Sequence, residues 1–200
     1  MLQMKNMHRH FLIHKPHGYL SQFIYEKKRP KKLLDELYNF PEGTMAIGRL
    51  DEDSEGLLLL TTDGMMSEIV RSKTIEKEYY AQVDSIITEG AIEQLKNGVE
   101  IGFKGIRYTT KECKAKIISQ LPESIGEGRK IRDERHGPTS WVSITLTEGK
   151  FRQVRKMTAA VGFPTLRLVR IRVGNLHLQN LKAGEVLEID SFFTDNQITE

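Results

Sequence analysis

The segment Gly48-Arg49-Leu50-Asp51-Glu52-Asp53-Ser54-Glu55-Gly56-Leu57-Leu58-Leu59-Leu60-Thr61-Thr62-Asp63-Gly64 changes character twice. Its first part sets four carboxylates, Asp51, Glu52, Asp53 and Glu55, within five residues. Four consecutive leucines follow, long enough for a buried strand and far short of the roughly 20 residues of a membrane span. Thr62-Asp63-Gly64 then reads as a cap that starts a helix running to about Arg71. An acidic loop thus leads into a core strand, and the strand into a helix.

Working outward, the apolar stretch His10 to His14 reads as a strand, and Lys15-Pro16-His17-Gly18 as the turn that ends it. Leu33, Leu34, Leu37 and Tyr38 share one helical stripe, which predicts a short amphipathic helix over Pro30 to Phe40. Thr74 to Val83 is rich in Tyr and branched residues and predicts a strand. Thr88 to Asn97 predicts a helix stopped by Gly98. Ile106 to Ser119 predicts one strand, and Gln120 to Pro138, with its glycines, prolines and mixed charges, a surface loop. Trp141 to Thr147 alternates as a strand does. Phe151, Val154, Met157 and Val161 fall at helical spacing, with Gly162 and Pro164 closing that helix. Strand-like sequence then continues to a polar tail. Helices and strands do not alternate regularly, so the predicted fold is α+β with a largely antiparallel sheet.

The chain has 200 residues, 38% hydrophobic and 28% charged, which suits a folded soluble protein able to bury a core without metal or disulfide. No apolar segment follows the basic start, so no secretory signal is expected. The single Cys113 excludes an internal disulfide and cysteine-rich zinc sites, and a cytoplasmic location is expected. Net charge is only +3, but its distribution is uneven. From Lys150 to Gly184 there are eight basic residues and no acidic one, whereas the rest of the chain balances at −5. A second cluster is Lys27-Lys28-Arg29-Pro30-Lys31-Lys32. Concentrated cations are the footprint of a polyanionic partner, because each neutralised phosphate releases counterions, although a solvated basic face would look the same. Arg167, Arg170 and Arg172 interleave with apolar residues, as in a strand presenting cations on one surface.

Three chemistries compete for the acidic loop. An EF-hand would need a bidentate Glu at its twelfth position, where Thr62 stands. A pair of acid/base carboxylates could flank a glycosidic bond, but so many acids together raise one another's pKa. A single nucleophilic or basic carboxylate, kept ionised by a nearby cation, is the third reading, and an acidic loop that only caps and solubilises is the plainest. His8, His10, His14 and His17 offer a weak metal set with no acidic ligand before Glu26. No phosphate-cradling loop and no nucleophile elbow are present.

Gly48-Arg49-Leu50-Asp51 with Asp53-Ser54-Glu55-Gly56-Leu57-Leu58, Leu60-Thr61 and Asp63-Gly64 resembles the signature of the RsuA/RluB/RluE-type pseudouridine synthases. Lys15-Pro16 with Gly18 and Leu20 resembles that family's opening segment, Lys77-Glu78-Tyr79 its second motif, and Glu148 to Met157, running on to Leu168 and Arg170, its C-terminal motifs. These matches stand in order across about residues 10 to 190. Pro138-Thr139-Ser140-Trp141 and Phe163 to Leu168 look nearest to the large-subunit RluE branch, as does the lack of room before residue 10 for an S4-like RNA-binding module. His17, where Tyr is common, is a departure.

The resemblance implies a catalytic domain over residues 9–193, with two sub-lobes around a central cleft, a basic arm over 1–8 and a polar tail over 194–200. It implies isomerisation of a uridine, in which N1–C1′ breaks and C5–C1′ forms, so that no redox cofactor, metal or cosubstrate is required. Asp51 is implied as the catalytic carboxylate, Arg155 as its ion-pair partner and Tyr79 as the residue stacked on the target uracil. The base must leave its stack at a cost of a few kcal/mol. Arg49 is implied to hold the vacated or flipped position, with Arg152, Lys156, Arg167, Arg170 and Arg172 contacting phosphates. The expected substrate is 23S ribosomal RNA, acted on by a monomer that needs no protein partner and no membrane.

Overall fold

The apolar runs on either side of the acidic loop become neighbouring core strands. In the computed structural model, which describes residues 8–71, 75–125, 131 and 134–192, β1 (His10–Lys15), β2 (Met45–Ile47) and β3 (Glu55–Thr61) pair antiparallel, with β3 in the middle. β1 and β3 are buried along their whole lengths, which is why neither alternates polar with apolar. α1 (Gly64–Arg71) starts where the Asp63 carboxylate accepts the amides of Met65 and Met66 at 2.9 and 3.2 Å. β4 (Lys77–Asp84) follows, then α2 (Glu89–Asn97), whose first turn is capped by the Thr88 hydroxyl accepting from Ala91 N–H. Gly98 ends it at φ +87°, where a Cβ would overlap the Thr110 carbonyl.

β5 (Glu100–Phe103) and β6 (Ile106–Thr109) form a separate hairpin. β7 (Lys114–Ile118), β8 (Thr139–Leu146), α3 (Gln153–Ala160), β9 (Thr165–Val173), β10 (Leu176–His177) and β11 (Val186–Ile189) complete the chain. The main sheet runs β11-β1-β3-β9-β4-β8-β7, with β2 on β3 and β10 on β9. Every pairing is antiparallel except β3 with β9. The architecture is therefore the α+β arrangement with a mixed, mostly antiparallel sheet.

The parallel join of β3 with β9 is short, Glu55 opposite Val169 and Gly56 opposite Arg170. Gly56 has φ +104°, and a Cβ there would overlap the backbone of Arg170. Only glycine lets the strand that leaves the acidic loop approach β9 so closely. On one side of this join Phe11, Ile13, Leu34, Leu50, Leu58 and Leu60 form a core; on the other Ala81, Val83, Ile92, Leu95, Val142 and Met157 form a second. Tyr79 packs against both.

Three local expectations differ from the fold. The stripe over 30–40 makes only one 3-10 turn, Leu34–Glu36, because its backbone groups bond across the chain: Leu34 N–H donates to Gln22 C=O and Leu20 N–H to Lys32 C=O. Its apolar residues still pack on Phe11 and Phe40. The strand over 106–119 is two strands, broken where Thr110 N–H donates to Val99 C=O and Cys113 N–H to Lys96 C=O. Within 120–138 the described residues include two 3-10 turns, Glu123–Ile125 and Glu134–His136, and residues 126–130 and 132–133 of that loop lie outside the described residues. So do residues 1–7 of the basic arm and the polar tail. No helix among the described residues is long and apolar enough to cross a membrane.

Candidate active site

The acidic loop is a short display held at both ends. Leu50 is buried, and Ser21 brackets its backbone: Leu50 N–H donates to Ser21 Oγ at 3.0 Å, and that hydroxyl donates to Leu50 C=O at 2.9 Å. Ser54 is buried at the other end, with its N–H donating to Asp51 C=O at 3.0 Å. Gly18 N–H donates to Glu52 C=O and joins the Lys15-Pro16 turn to the loop. Asp51, Glu52 and Asp53 stand out between these anchors.

The four carboxylates are met by cations from distant parts of the chain. Glu52 pairs with Lys31 at 2.8 Å, and Glu55 is buried against Arg167. Asp53 takes both prongs of the Arg152 guanidinium at 2.8 and 3.0 Å. Burial works to raise the Asp53 carboxyl, but the Arg152 fork and the charge of Arg155 outweigh it and hold the group below the usual carboxylate range. Asp51 is held more loosely, with Oδ2 3.5 Å from Arg152 Nη1 and no hydrogen bond to its carboxylate among the described residues. Asp51 lines a cavity of about 470 Å³ together with Tyr79, Arg49, Phe151, Arg152 and Leu168.

Arg152 reaches the loop because its backbone adopts the left-handed region, φ 53° and ψ 34°, immediately before α3. A non-glycine residue there is strained, and the strain is compensated locally. Lys150 N–H donates to Gln153 Oε1 at 2.9 Å, and Gln153 Nε2 donates to Glu148 Oε1 at 2.6 Å, pinning the turn that aims Arg152.

The structure brings together Asp51, Tyr79, Arg49, Arg152 and Arg155, but the pairing differs from the sequence expectation. Arg155 points beneath the loop: its Nη2 donates to Asp53 C=O at 2.8 Å and Ser54 Oγ at 3.2 Å and lies 3.5 Å from the Asp53 carboxylate. The guanidinium that faces Asp51 is that of Arg152. Tyr79, half-buried on β4, lies opposite Arg170 and Ile144 in register and reaches the cavity floor. Arg49 is exposed at the rim. Lys156 lies outside it, its ammonium donating to Gly102 C=O at 2.8 Å and resting 5.4 Å from the exposed Phe151 ring.

Two of the residues expected at phosphates are engaged by acids within the fold. Arg167 is 3% exposed and donates to both Glu55 oxygens at 2.9 Å and to Ile125 C=O at 2.8 Å. Arg172 is engaged by Glu76 and Glu78, each at 3.0 Å. Arg170 is also buried, with Nε donating to Leu57 C=O across the parallel join, although it borders a neighbouring cavity. The sequence reading missed Ser21, Gln153 and the role of Asp53; among these only the position of Ser21 carried no local signal at all.

Among the described residues no three His, Cys, Asp or Glu side chains are grouped to hold a metal. His10 Nδ1 bonds Thr61 Oγ1 and His14 Nδ1 bonds Leu181 C=O, so two of the N-terminal histidines pack within the fold.

Comparison with known proteins gives matches over most of the chain. The family model described as RNA pseudouridylate synthase matches residues 9–160. The chain is 41% identical over 180 residues to the ribosomal large subunit pseudouridine synthase E of Vibrio vulnificus, covering 89% of this chain and 74% of that protein. It is 37% identical over 172 residues to the protein of that name from Xanthomonas axonopodis pv. citri, covering 85% and 88%. It is 32% identical over 182 residues to the ribosomal large subunit pseudouridine synthase B of Bacillus subtilis, covering 90% and 67%. A crystal structure of a pseudouridylate synthase superposes with a TM-score of 0.71 at 25% identity, over 91% of this chain and 70% of that one.

Proposed function

This chain belongs to the RNA pseudouridylate synthase family, and from that premise we propose that it isomerises a uridine of large-subunit ribosomal RNA to pseudouridine, with Asp51 as the attacking carboxylate. The observation that carries this reading is the state of Asp51. Of the four acids in its loop, it is the one that lines the 470 Å³ cavity with only a single, loose contact to a cation at 3.5 Å. A nucleophile must keep a lone pair for the sugar, and a carboxylate already gripped by a guanidinium fork, as Asp53 is, has little to offer.

Asp51 attacks at the sugar C1′ or takes a proton from C2′. The N1–C1′ bond breaks, the uracil turns within the cavity, and its C5 bonds C1′ as Asp51 leaves C1′ or returns the proton to C2′. C5 then loses its proton and N1 takes one up, so that product and substrate are isomers. Arg152 supplies a positive charge beside Asp51 while anchored to Asp53, so the cation is preorganised before RNA arrives. Tyr79 offers a ring to the uracil from the floor. Arg49 and Lys156, at the rim and outside it, meet phosphates and occupy the space from which the base is extruded, contributing contacts that offset the unstacking cost of a few kcal/mol.

The test is Asp51→Asn assayed on transcripts of large-subunit ribosomal RNA, with pseudouridine mapped chemically and RNA affinity measured in parallel. The expected result is loss of pseudouridine formation with affinity within a few fold of the unsubstituted protein. An active Asp51→Asn variant, or an unsubstituted protein that forms no pseudouridine on any such RNA while binding it tightly, would replace this reading with that of a non-catalytic RNA-binding protein.

A further inference from the structure

Beside the Asp51 cavity lies a second one of about 430 Å³, within the size range of small-ligand sites. The two share Arg49, Gly149 and Lys150 as a common wall, so they are adjacent along the same face. The floor of the second cavity is apolar, made by Ile47 of β2, Leu59 of β3, Val70 of α1 and Val173 of β9. Its walls are cationic: Arg49, Arg71, Lys77, Lys111, Lys150 and Arg170. Among the described residues lining it, Glu148 is the one carboxylate. That carboxylate is already occupied by the Tyr108 hydroxyl at 2.6 Å, Lys111 N–H at 3.0 Å and Gln153 Nε2 at 2.6 Å.

An apolar floor inside a cationic wall suits one kind of occupant, a flat base carried on an anionic backbone. We propose that this cavity receives a second unstacked nucleotide of the substrate RNA, adjacent in the strand to the target uridine and held while the uridine occupies the Asp51 cavity. The proposal rests on the reading of Asp51 as the catalytic residue and extends it to the choice of RNA. A sheet-and-helix surface has no access to base edges in a deep A-form major groove, and single-stranded RNA is read through splayed bases stacked on side chains. With the target base extruded, a neighbour that also leaves its stack finds the apolar floor next door, and the phosphate between them passes the shared wall of Arg49 and Lys150. Lys150 is kept upright there by the rings of Phe103 and Tyr108, 5.0 and 4.8 Å from its ammonium. The consequence is specificity for a local sequence or loop shape in which that neighbour is unpaired.

The experiment uses a stem-loop transcript around the mapped uridine, and the same RNA with a single abasic residue at each of three positions on either side. Affinity at fixed salt is measured for the unsubstituted protein and for Lys111→Glu and Arg71→Glu, two charge reversals at exposed residues of the cavity wall. One abasic position should weaken binding to the unsubstituted protein about tenfold and should cost each variant less than twofold, while the variants still form pseudouridine at saturating RNA. The proposal is overturned if no abasic position is costly, or if the costly one is equally costly in both variants. An unsubstituted protein that forms no pseudouridine on the intact RNA overturns the Asp51 reading itself, so the two failures are distinguishable.

Discussion

Replacing Arg167 by methionine separates architecture from RNA binding, because on sequence grounds this arginine sits among the cations of a nucleic-acid surface and in the fold it is sealed inside. Its side chain is 3% exposed and that of Glu55 is 6% exposed; the two share a bidentate contact at 2.9 Å, and a further N–H reaches Ile125 C=O at 2.8 Å. Removing one partner of such a pair strands the other charge in a low-dielectric interior, which costs about 3–5 kcal/mol. For a chain of this length that corresponds to a fall in Tm of roughly 6–20 °C. The same loss should appear for Glu55→Met, and the Glu55→Met/Arg167→Met pair should be more stable than either single variant, since no unpaired charge is left buried. Urea melts should be followed by far-UV circular dichroism, because Trp141 lies 5.8 Å from the Arg167 guanidinium and its fluorescence would report the substitution directly. Below its melting range, Arg167→Met should keep the salt dependence of RNA binding, whereas loss of a true phosphate contact flattens the slope of log K against log[salt] by about 0.7–0.9. A stability change under about 1 kcal/mol together with a flattened slope would refute the assignment.

Gly56→Ala should destabilise the fold by more than about 3 kcal/mol, since the positive φ alone costs about 1–3 kcal/mol and the added methyl meets the Arg170 backbone; Gly64→Ala, with open space around it, is the control that should melt like the unsubstituted protein. Lys15 is fully buried, donates to Pro16 and Tyr19 carbonyls, and is pushed by burial down to about 8 despite the acids of the loop. Between about pH 8 and 10.5 the unfolded chain therefore binds a proton that the folded one does not, and stability attributable to Lys15 rises with pH across that window, by at most about 3 kcal/mol. The stability difference between the unsubstituted protein and Lys15→Met should grow accordingly in urea melts at pH 7, 9 and 10.5, and a difference that stays flat or shrinks would contradict it.

Much of the architecture was legible from local pattern. The leucine run after the acidic loop, the caps at Asp63 and Thr88 and the stop at Gly98 act over a few residues, and each lies where local chemistry predicts it. The stripe over 30–40 and the single strand over 106–119 were misread for one reason: their backbone groups bond to distant chain, and that competition leaves no trace in local spacing.

Charge shows the same division more sharply. Sequence alone determined that Lys150 to Gly184 carries eight cations without an acid, that four carboxylates crowd Asp51 to Glu55, and that the ordered motifs around them fit one family. Only the tertiary structure decided which cation meets which acid. Arg152 turns to Asp51 and Asp53, Arg155 to the backbone of Asp53, Arg167 to Glu55, and Arg172 to Glu76 and Glu78. Several cations that look available to RNA are thus used within the fold. The physical reason is that an ion pair depends on distance and desolvation, and residues about a hundred positions apart acquire both only when β3, β4 and β9 pack into one sheet.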